Sequence, residues 1–195
     1  MTSWWNKNVE KRMEDFKSWI EDHNEPSKKY CRKYVADKNY RQIIDCGSGL
    51  ASEYFGYIND NYSINYTGLD SCKYLIELNA NKGINMIEAE LNNELPLEDG
   101  SYECVYCREV IEHLPYYETA INNMIRIGNK EVIICWFIKP AEVPDDINYW
   151  KEEDLYHNKY NLEKLEKFIL SNPKVSSISW KDISDKKNVL HIYLK

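Results

Sequence analysis

Two glycines one residue apart, preceded by one carboxylate and followed by another, hold the clearest chemistry in this chain. In Arg41-Gln-Ile-Ile-Asp45-Cys-Gly47-Ser-Gly49-Leu-Ala51 an apolar run ends in an acid, and spaced small residues follow. Such a turn lets the backbone approach a ligand closely, because a side chain at either glycine would occupy the ligand's space. The pattern points to a nucleoside-like molecule at the carboxyl edge of a parallel sheet. Ser52 stands where a dinucleotide-type G-x-G-x-x-G has its third glycine, which counts against a nicotinamide site. Asp45 would repel a pyrophosphate but could pair with an amino group, directly or through water. Asp70 closes the run Tyr66-Thr-Gly-Leu-Asp70 about 20 residues further on. A carboxylate there either accepts both ribose hydroxyls or caps the next helix.

Alternating strand and helix patterns must position these residues. Residues 4–24 carry Trp5, Val9, Met13, Phe16 and Ile20 at helical spacing. A second helix opens at Pro26 and runs to about Tyr34. Strands are expected at Gln42–Cys46, Ile64–Asp70, Ile84–Ala89, Tyr102–Cys107, Glu131–Trp136, Val175–Trp180 and Val189–Leu194. Helices are expected at Leu50–Asn59, from a Ser71 cap through Leu78, from Pro115 to Ile127 with Gly128 ending it, and at Leu162–Leu170. A polar and aromatic stretch, Phe137 to Tyr160, has no expected element. This alternation implies an α/β fold with a mostly parallel sheet covered on both faces. The last two strands lie too close for a helical crossover and should form an antiparallel hairpin.

Composition narrows the partners. The net charge of −7 over 195 residues opposes a long contact with phosphate backbones, so nucleic acid is disfavoured. Lys28, Lys29, Arg32 and Lys33 read as a solvated helix face, with a local basic patch as the alternative. MTSWWNKNVEKR lacks the apolar core of a signal peptide, and no stretch reaches the length of a membrane span. The six cysteines sit mostly in apolar runs, as reduced thiols of a cytoplasmic protein would. Cys104 and Cys107 form a C-x-x-C, but on a strand an offset of three puts them on opposite faces. No metal site is expected.

The segment from Glu90 to Leu114 carries a further pattern. It contains Leu95-Pro-Leu97, Asp99-Gly-Ser-Tyr-Glu103 and Val110-Ile-Glu-His-Leu114. With the glycine turn, these resemble the class I S-adenosylmethionine-dependent methyltransferases, especially the type 11 group, over roughly residues 41–136. Glu90 and Glu103 stand where that family usually has aspartate, and Tyr102 where it has phenylalanine. The resemblance implies a Rossmann-like three-layer sandwich with seven strands in the order 3-2-1-4-5-7-6, the seventh antiparallel. It implies one domain over 1–195, with an N-terminal helical cap (1–40), a cofactor-binding core (41–136), and an acceptor-side loop and closing hairpin (137–195).

The resemblance also implies roles. Asp45, Gly47 and Gly49 would hold the methionine part of S-adenosylmethionine, and Asp70 the ribose. Cys72 and Leu91 would flank the adenine, with Glu90 near its amino edge. Cys107 and Arg108 would lie close to the methyl group. Aligning nucleophile, methyl and sulfur can supply roughly 7–11 kcal/mol of such a reaction's acceleration. A hydroxyl acceptor also needs a base. His113 is one candidate, although the E-H-L turn recurs in relatives with unrelated substrates and can be structural. His157 is the other, in the region where the family builds its acceptor pocket. Tyr156, Tyr160 and Trp4 could close that pocket, or cover apolar surface; Trp5 fits the core stripe.

Motifs of nucleic-acid amino and cytosine-carbon methylases are missing, as are the aspartates of metal-dependent catechol-type enzymes. The expected activity is therefore methyl transfer to O or N of a small polar acceptor, for instance a sugar, a sugar-phosphate or another metabolite. The alternatives are a non-catalytic S-adenosylmethionine-binding partner protein, or a protein or RNA methyltransferase.

Overall fold

Apolar runs that alternate with amphipathic ones bury both faces of a sheet, and the computed structural model, which describes residues 9–195, has that form. Helices α1 (Val9–Glu21) and α2 (Pro26–Asp37) precede β1 (Gln42–Cys46), α3 (Ser52–Asn59), β2 (Asn65–Asp70), α4 (Lys73–Ala80) and β3 (Asn85–Glu88). Then come β4 (Tyr102–Arg108), a 3-10 turn (Ile111–His113), α5 (Glu118–Ile127) and β5 (Gly128–Trp136). A short ribbon, β6 (Tyr149–Trp150) and β7 (Leu155–Tyr156), precedes α6 (Leu162–Leu170), β8 (Val175–Asp182) and β9 (Asn188–Leu194). The seven-stranded sheet runs β3-β2-β1-β4-β5-β9-β8. With the ribbon set aside, this is the expected 3-2-1-4-5-7-6. The strands β1 to β5 pair in parallel, while β9 pairs antiparallel with both β5 and β8.

Alternate residues feed two cores. Val105, Cys107, Val132 and Ile134 pack with Ile121 and Met124 of α5 and with Leu165 and Ile169 of α6. Cys104, Tyr106, Ile133 and Cys135 pack with Cys31 and Val35 of α2 and Tyr57 of α3. Cys104 and Cys107 thus lie on opposite faces, as the strand period requires. All six cysteines are buried, and none is in a disulfide. Among the described residues, no helix is long and apolar enough to cross a membrane.

Several element boundaries differ from the sequence reading, each for a local reason. Helix α3 starts at Ser52 rather than Leu50, because Gly47, Gly49 and Ala51 all have left-handed backbones (φ 77°, 53° and 55°). Ser71 does not cap α4: Cys72 is the N-cap, and its N–H donates to the Asp70 carboxylate at 2.9 Å. Pro115 does not open α5. It forces Leu114 into an extended conformation (ψ 150°), and the helix forms only from Glu118. Gly128 ends α5 and begins β5 without a loop; a Cβ there would lie 2.9 Å from Leu194 Cδ1 and 3.2 Å from Met124 O. The basic run on α2 is divided, with Lys28 and Arg32 buried and Lys29 and Lys33 exposed.

Glu103 ties the start of β1 to β4 and β5. Its carboxylate accepts from the Arg41 N–H at 2.6 Å, the Gln42 N–H at 3.1 Å and Lys130 Nζ at 2.6 Å. The Lys130 hydrogen bond, followed by the Arg41 N–H, holds its carboxyl down at about 2. A depressed carboxylate stabilises the fold above its unfolded pKa, near 4.3, and that contribution fades as pH falls through the folded value. We expect Glu103→Gln to lower stability at neutral pH and to reduce the loss seen on acidification from about pH 5 to about pH 2. Urea unfolding at several pH values checks this; parallel wild-type and variant curves would exclude it.

Candidate functional site

The carboxyl edge of β1 and β2 is built from backbone. The N–H groups of Gly47 and Ser48 both donate to Leu69 O, at 2.7 and 3.0 Å. A Cβ on Gly47 would lie 2.4 Å from Val110 Cγ2, so this glycine is required by packing against the β4 exit. A Cβ on Gly49 would meet nothing within 4 Å. There the turn faces open space, with its N–H donating to Asp70 Oδ2 at 2.9 Å and its carbonyl accepting from Asn79 Nδ2 at 2.8 Å. The Asp70 carboxylate is 6% exposed. Burial raises its pKa, against the opposing pull of the Cys72 and Gly49 N–H groups.

Asp45 is also buried, and the Tyr66 hydroxyl donates to its Oδ2 at 2.7 Å. Burial pushes this carboxyl up to about 7 despite that hydrogen bond. Two buried polar atoms beside the turn, Ser48 Oγ and Asn79 Oδ1, have no hydrogen-bond partner among the described residues. Unpaired buried polar atoms are costly. Together with the open space at Gly49, they suit a polar ligand that lies close to backbone. Leu91 is buried, and its carbonyl accepts from Asn123 Nδ2 at 2.8 Å; Glu90 is half-buried beside it. Cys72 is fully buried at the start of α4.

At the end of β4 consecutive side chains diverge. Cys107 enters the α5-side core, whereas Arg108 turns toward α3. Arg108 Nε lies 3.3 Å from Glu53 Oε1 and its NH1 3.1 Å from Glu109 Oε2. Glu53 also pairs with Arg32 (3.5 Å), which reaches Asp60 at 2.8 Å. Gly56 makes room for this guanidinium, since a Cβ there would lie 2.7 Å from Arg32 NH1. On the other side Glu109 meets Lys187 Nζ at 2.6 Å, and Lys187 reaches Glu25 at 3.2 Å. A chain of alternating charge thus joins α3, α2, the β4 exit and the β8–β9 hairpin.

The segment after β5 packs against the 3-10 turn. His113 Nδ1 is 2.7 Å from Tyr156 O. A carbonyl only accepts, so Nδ1 carries the hydrogen and Nε2 is left as the basic nitrogen. Burial lowers the His113 pKa, and the Tyr156 carbonyl works in the opposite direction. The ring centroid is 5.1 Å from that of His157 and 5.2 Å from that of Phe137, and Trp150 stacks on His157 at 4.0 Å. His157 Nε2 is buried and has no hydrogen-bond partner among the described residues. Glu112 Oε1 accepts from the N–H groups of Phe137 (2.7 Å) and Ile138 (3.3 Å). Its carboxyl is pushed up to about 8 by burial.

The structure therefore brings together His113, His157 and Tyr156, and separately Gly47, Gly49, Asp45 and Asp70. Tyr160 is only 2% exposed; its ring packs on Tyr117 and its hydroxyl is 3.1 Å from Leu114 O, so it supports this region from the core. Trp4 and Trp5 lie outside the described residues. Sequence reasoning missed Glu53, Glu109, Lys187, Phe137 and Trp150. Pairings such as Glu53–Arg108, 55 residues apart along the chain, leave no local pattern.

Comparison with known proteins agrees with the fold. The methyltransferase-domain family profile matches residues 44–135. A SAM-dependent methyltransferase from Thermotoga maritima is similar in structure (TM-score 0.65, 14% identity, 100% of this chain and 99% of that one). So is magnesium protoporphyrin IX methyltransferase from Synechocystis with bound SAH (TM-score 0.70, 11% identity, 100% and 98%). A third is phosphoethanolamine N-methyltransferase 2 from Haemonchus contortus, in complex with phosphomonomethylethanolamine and S-adenosylhomocysteine (TM-score 0.70, 11% identity, 99% and 59%). At these identities the likeness carries the fold, while the profile covers the glycine turn and the β4 exit. Residues 44–135 thus match the methyltransferase-domain family, and the fold is that of class I S-adenosylmethionine-dependent methyltransferases.

Proposed function

We propose that the protein moves a methyl group to O or N of a small polar acceptor held between the β4 exit and the 137–160 segment. The observation that carries the reading is the His113–Tyr156 hydrogen bond, which leaves Nε2 of a half-buried histidine as a base beside a second histidine and two aromatic rings. S-adenosylmethionine supplies the electrophilic methyl when bound. Gly47, Gly49 and Asp45 would hold its methionine part and Asp70 its ribose. Cys72, Leu91 and Glu90 would frame the adenine, and Cys107 and Arg108 would lie near the methyl. The open space at Gly49 and the unpaired Ser48 Oγ and Asn79 Oδ1 support that assignment.

On the acceptor side, His113 takes the proton of a hydroxyl acceptor through Nε2. Glu112 positions Phe137 and Ile138 at the wall of the site. An amine acceptor would need less help from a base. A small acceptor suits the short 137–160 segment; the Haemonchus neighbour, for comparison, holds a phosphomonomethylethanolamine.

Screening cell extracts for label transfer from methyl-labelled S-adenosylmethionine tests the reading. Transfer to a small molecule supports it, whereas cofactor binding with no transfer to any fraction favours a non-catalytic binding protein. We expect Asp70→Asn to weaken S-adenosylhomocysteine binding by roughly tenfold or more, about 1.4 kcal/mol, without loss of the folded signal. Calorimetry reads this, and unchanged affinity would remove Asp70 from the cofactor site. We expect His113→Asn to lower kcat on a hydroxyl acceptor by roughly 100-fold or more and to leave cofactor affinity unaltered. Because burial lowers the His113 pKa, the acid limb of the wild-type rate profile should lie below the ordinary histidine value of about 6.5. An acid limb at or above that value would contradict His113 as the base.

A further inference from the structure

We propose that the exposed segment from Glu142 to Trp150, with the start of α6, docks a segment of a partner protein that carries both basic and apolar side chains. Among the described residues eight large hydrophobic side chains are well exposed. Four of them fall within eight positions: Val143, Ile147, Tyr149 and Trp150, at 42–50%. Single exposed apolar residues are ordinary. Four together expose roughly 300 Å², the scale of the largest and often functional patch on a monomer.

The patch is held in place by its own bonds. Strands β6 and β7 pair, Trp150 stacks on His157 at 4.0 Å, and Tyr149 packs on Tyr156 at 4.9 Å. At the other end Asn161 Nδ2 donates to Val143 O at 2.8 Å, and the Asn161 N–H donates to Asp145 Oδ1 at 2.7 Å. A surface fixed in this way loses little freedom when a partner covers it.

Charge selects the partner. Asn161 also lines a recess of about 360 Å³, together with Glu142, Leu162, Glu163 and Glu166. Glu166 Oε1 accepts from Trp180 Nε1 at 2.6 Å. Glu142 and Glu163 are exposed and have no ion pair among the described residues, and the same holds for Asp146 and Glu152 along the ribbon. The cations at hand are Lys164, taken by Asp145 at 2.8 Å, the exposed Lys151 and the half-buried Lys159. The start of α6 adds about half a positive charge, less than the carboxylates of the recess remove. An ammonium or guanidinium with its aliphatic stem suits three carboxylates and a leucine. Anionic lipid or nucleic acid would be repelled. Six of the chain's 32 acidic residues but one of its 25 basic ones lie between Glu142 and Asp154. The rest of the chain is therefore close to neutral, and a second copy offers no general excess of positive charge.

Neither cofactor nor methyl acceptor is needed for this docking, so it can be tested apart from transfer. Calorimetry uses the full chain and three synthetic peptides of equal length, alternating lysine–leucine, glutamate–leucine and lysine–serine. The lysine–leucine peptide should bind roughly tenfold or more tighter than either of the others, and more weakly as salt is raised. Glu142→Gln with Glu163→Gln should weaken its binding by roughly tenfold, and Val143→Ser with Ile147→Ser by a similar factor. Tyr74→Ser and Glu94→Gln, at exposed positions elsewhere, should leave it unaltered. The two pairs are independent, so one still decides if the other does not fold. Absence of lysine–leucine binding, equal binding of the glutamate–leucine peptide, or equal loss in the Tyr74 and Glu94 variants would overturn the proposal. So would binding to phosphatidylglycerol vesicles, or self-association in sedimentation that Ile147→Ser abolishes, since these give the patch to a membrane or to a second copy.

Discussion

An arginine cannot be buried at the end of a strand unless carboxylates come to meet it. Arg108 ends β4, and the groups that meet it come from distant parts of the chain. Glu53 lies in the first turn of α3, directly after the glycine turn, so the Arg108–Glu53 pair holds the glycine-turn side of the edge against the β4 exit. Glu109 passes the linkage to Lys187 of the β8–β9 hairpin, and Lys187 passes it to the N-cap of α2. Breaking one member would leave a buried charge unmatched, which typically costs 3–5 kcal/mol. Placement of α2 against the sheet therefore depends on the same charges that border the β4 exit.

The two halves of this edge are built by different means. On the β1–β2 side, backbone N–H groups, positive-φ residues and two buried carboxylates define the surface, and Asp70 locks Gly49 and Cys72 at once. Few side chains are involved, so the surface can be rigid and can face a ligand closely. On the β4–β5 side, side chains dominate. Glu112 and Asn158 stitch the 3-10 turn to the loop beyond β5 through the N–H groups of Phe137 and Ile138 and the carbonyl of Leu114. That stitching sets the imidazole of His113 against the Tyr156 carbonyl and thereby its tautomer. A generic cofactor suits the backbone surface, and a particular acceptor suits the side-chain surface.

Much of the fold was legible from local pattern. The span of α6 and the alternating residues of β4 and β5 follow from periods of 3.6 and 2 that each segment carries within itself. The glycine turn and Asp70 were legible for the same reason, since conformation and position demand those residue types. Where reading failed, a non-local term prevailed. Lys28 and Arg32 look like a solvated face by composition, yet both are buried because α2 lies against the carboxylate-bearing edge. Tyr160 has the profile of a pocket residue, but Tyr117, Trp136 and the carbonyl of Leu114 claim it for the core. The ribbon of Tyr149–Trp150 and Leu155–Tyr156 is too short to show an alternating pattern.

By itself, then, the sequence determined the order of the seven sheet strands and of the helices between them, the α/β class, and a glycine turn with its two carboxylates at the edge of a parallel sheet. These depend on spacing within a few residues, where chain stereochemistry leaves few choices. The tertiary structure alone decided which charges meet and which histidine nitrogen is free. Glu53 and Arg108, Glu109 and Lys187, and His113 and Tyr156 are far apart along the chain, and only packing brings them within reach. Because burial and pairing act through space, the chemistry of the β4–β5 side is a property of the folded protein.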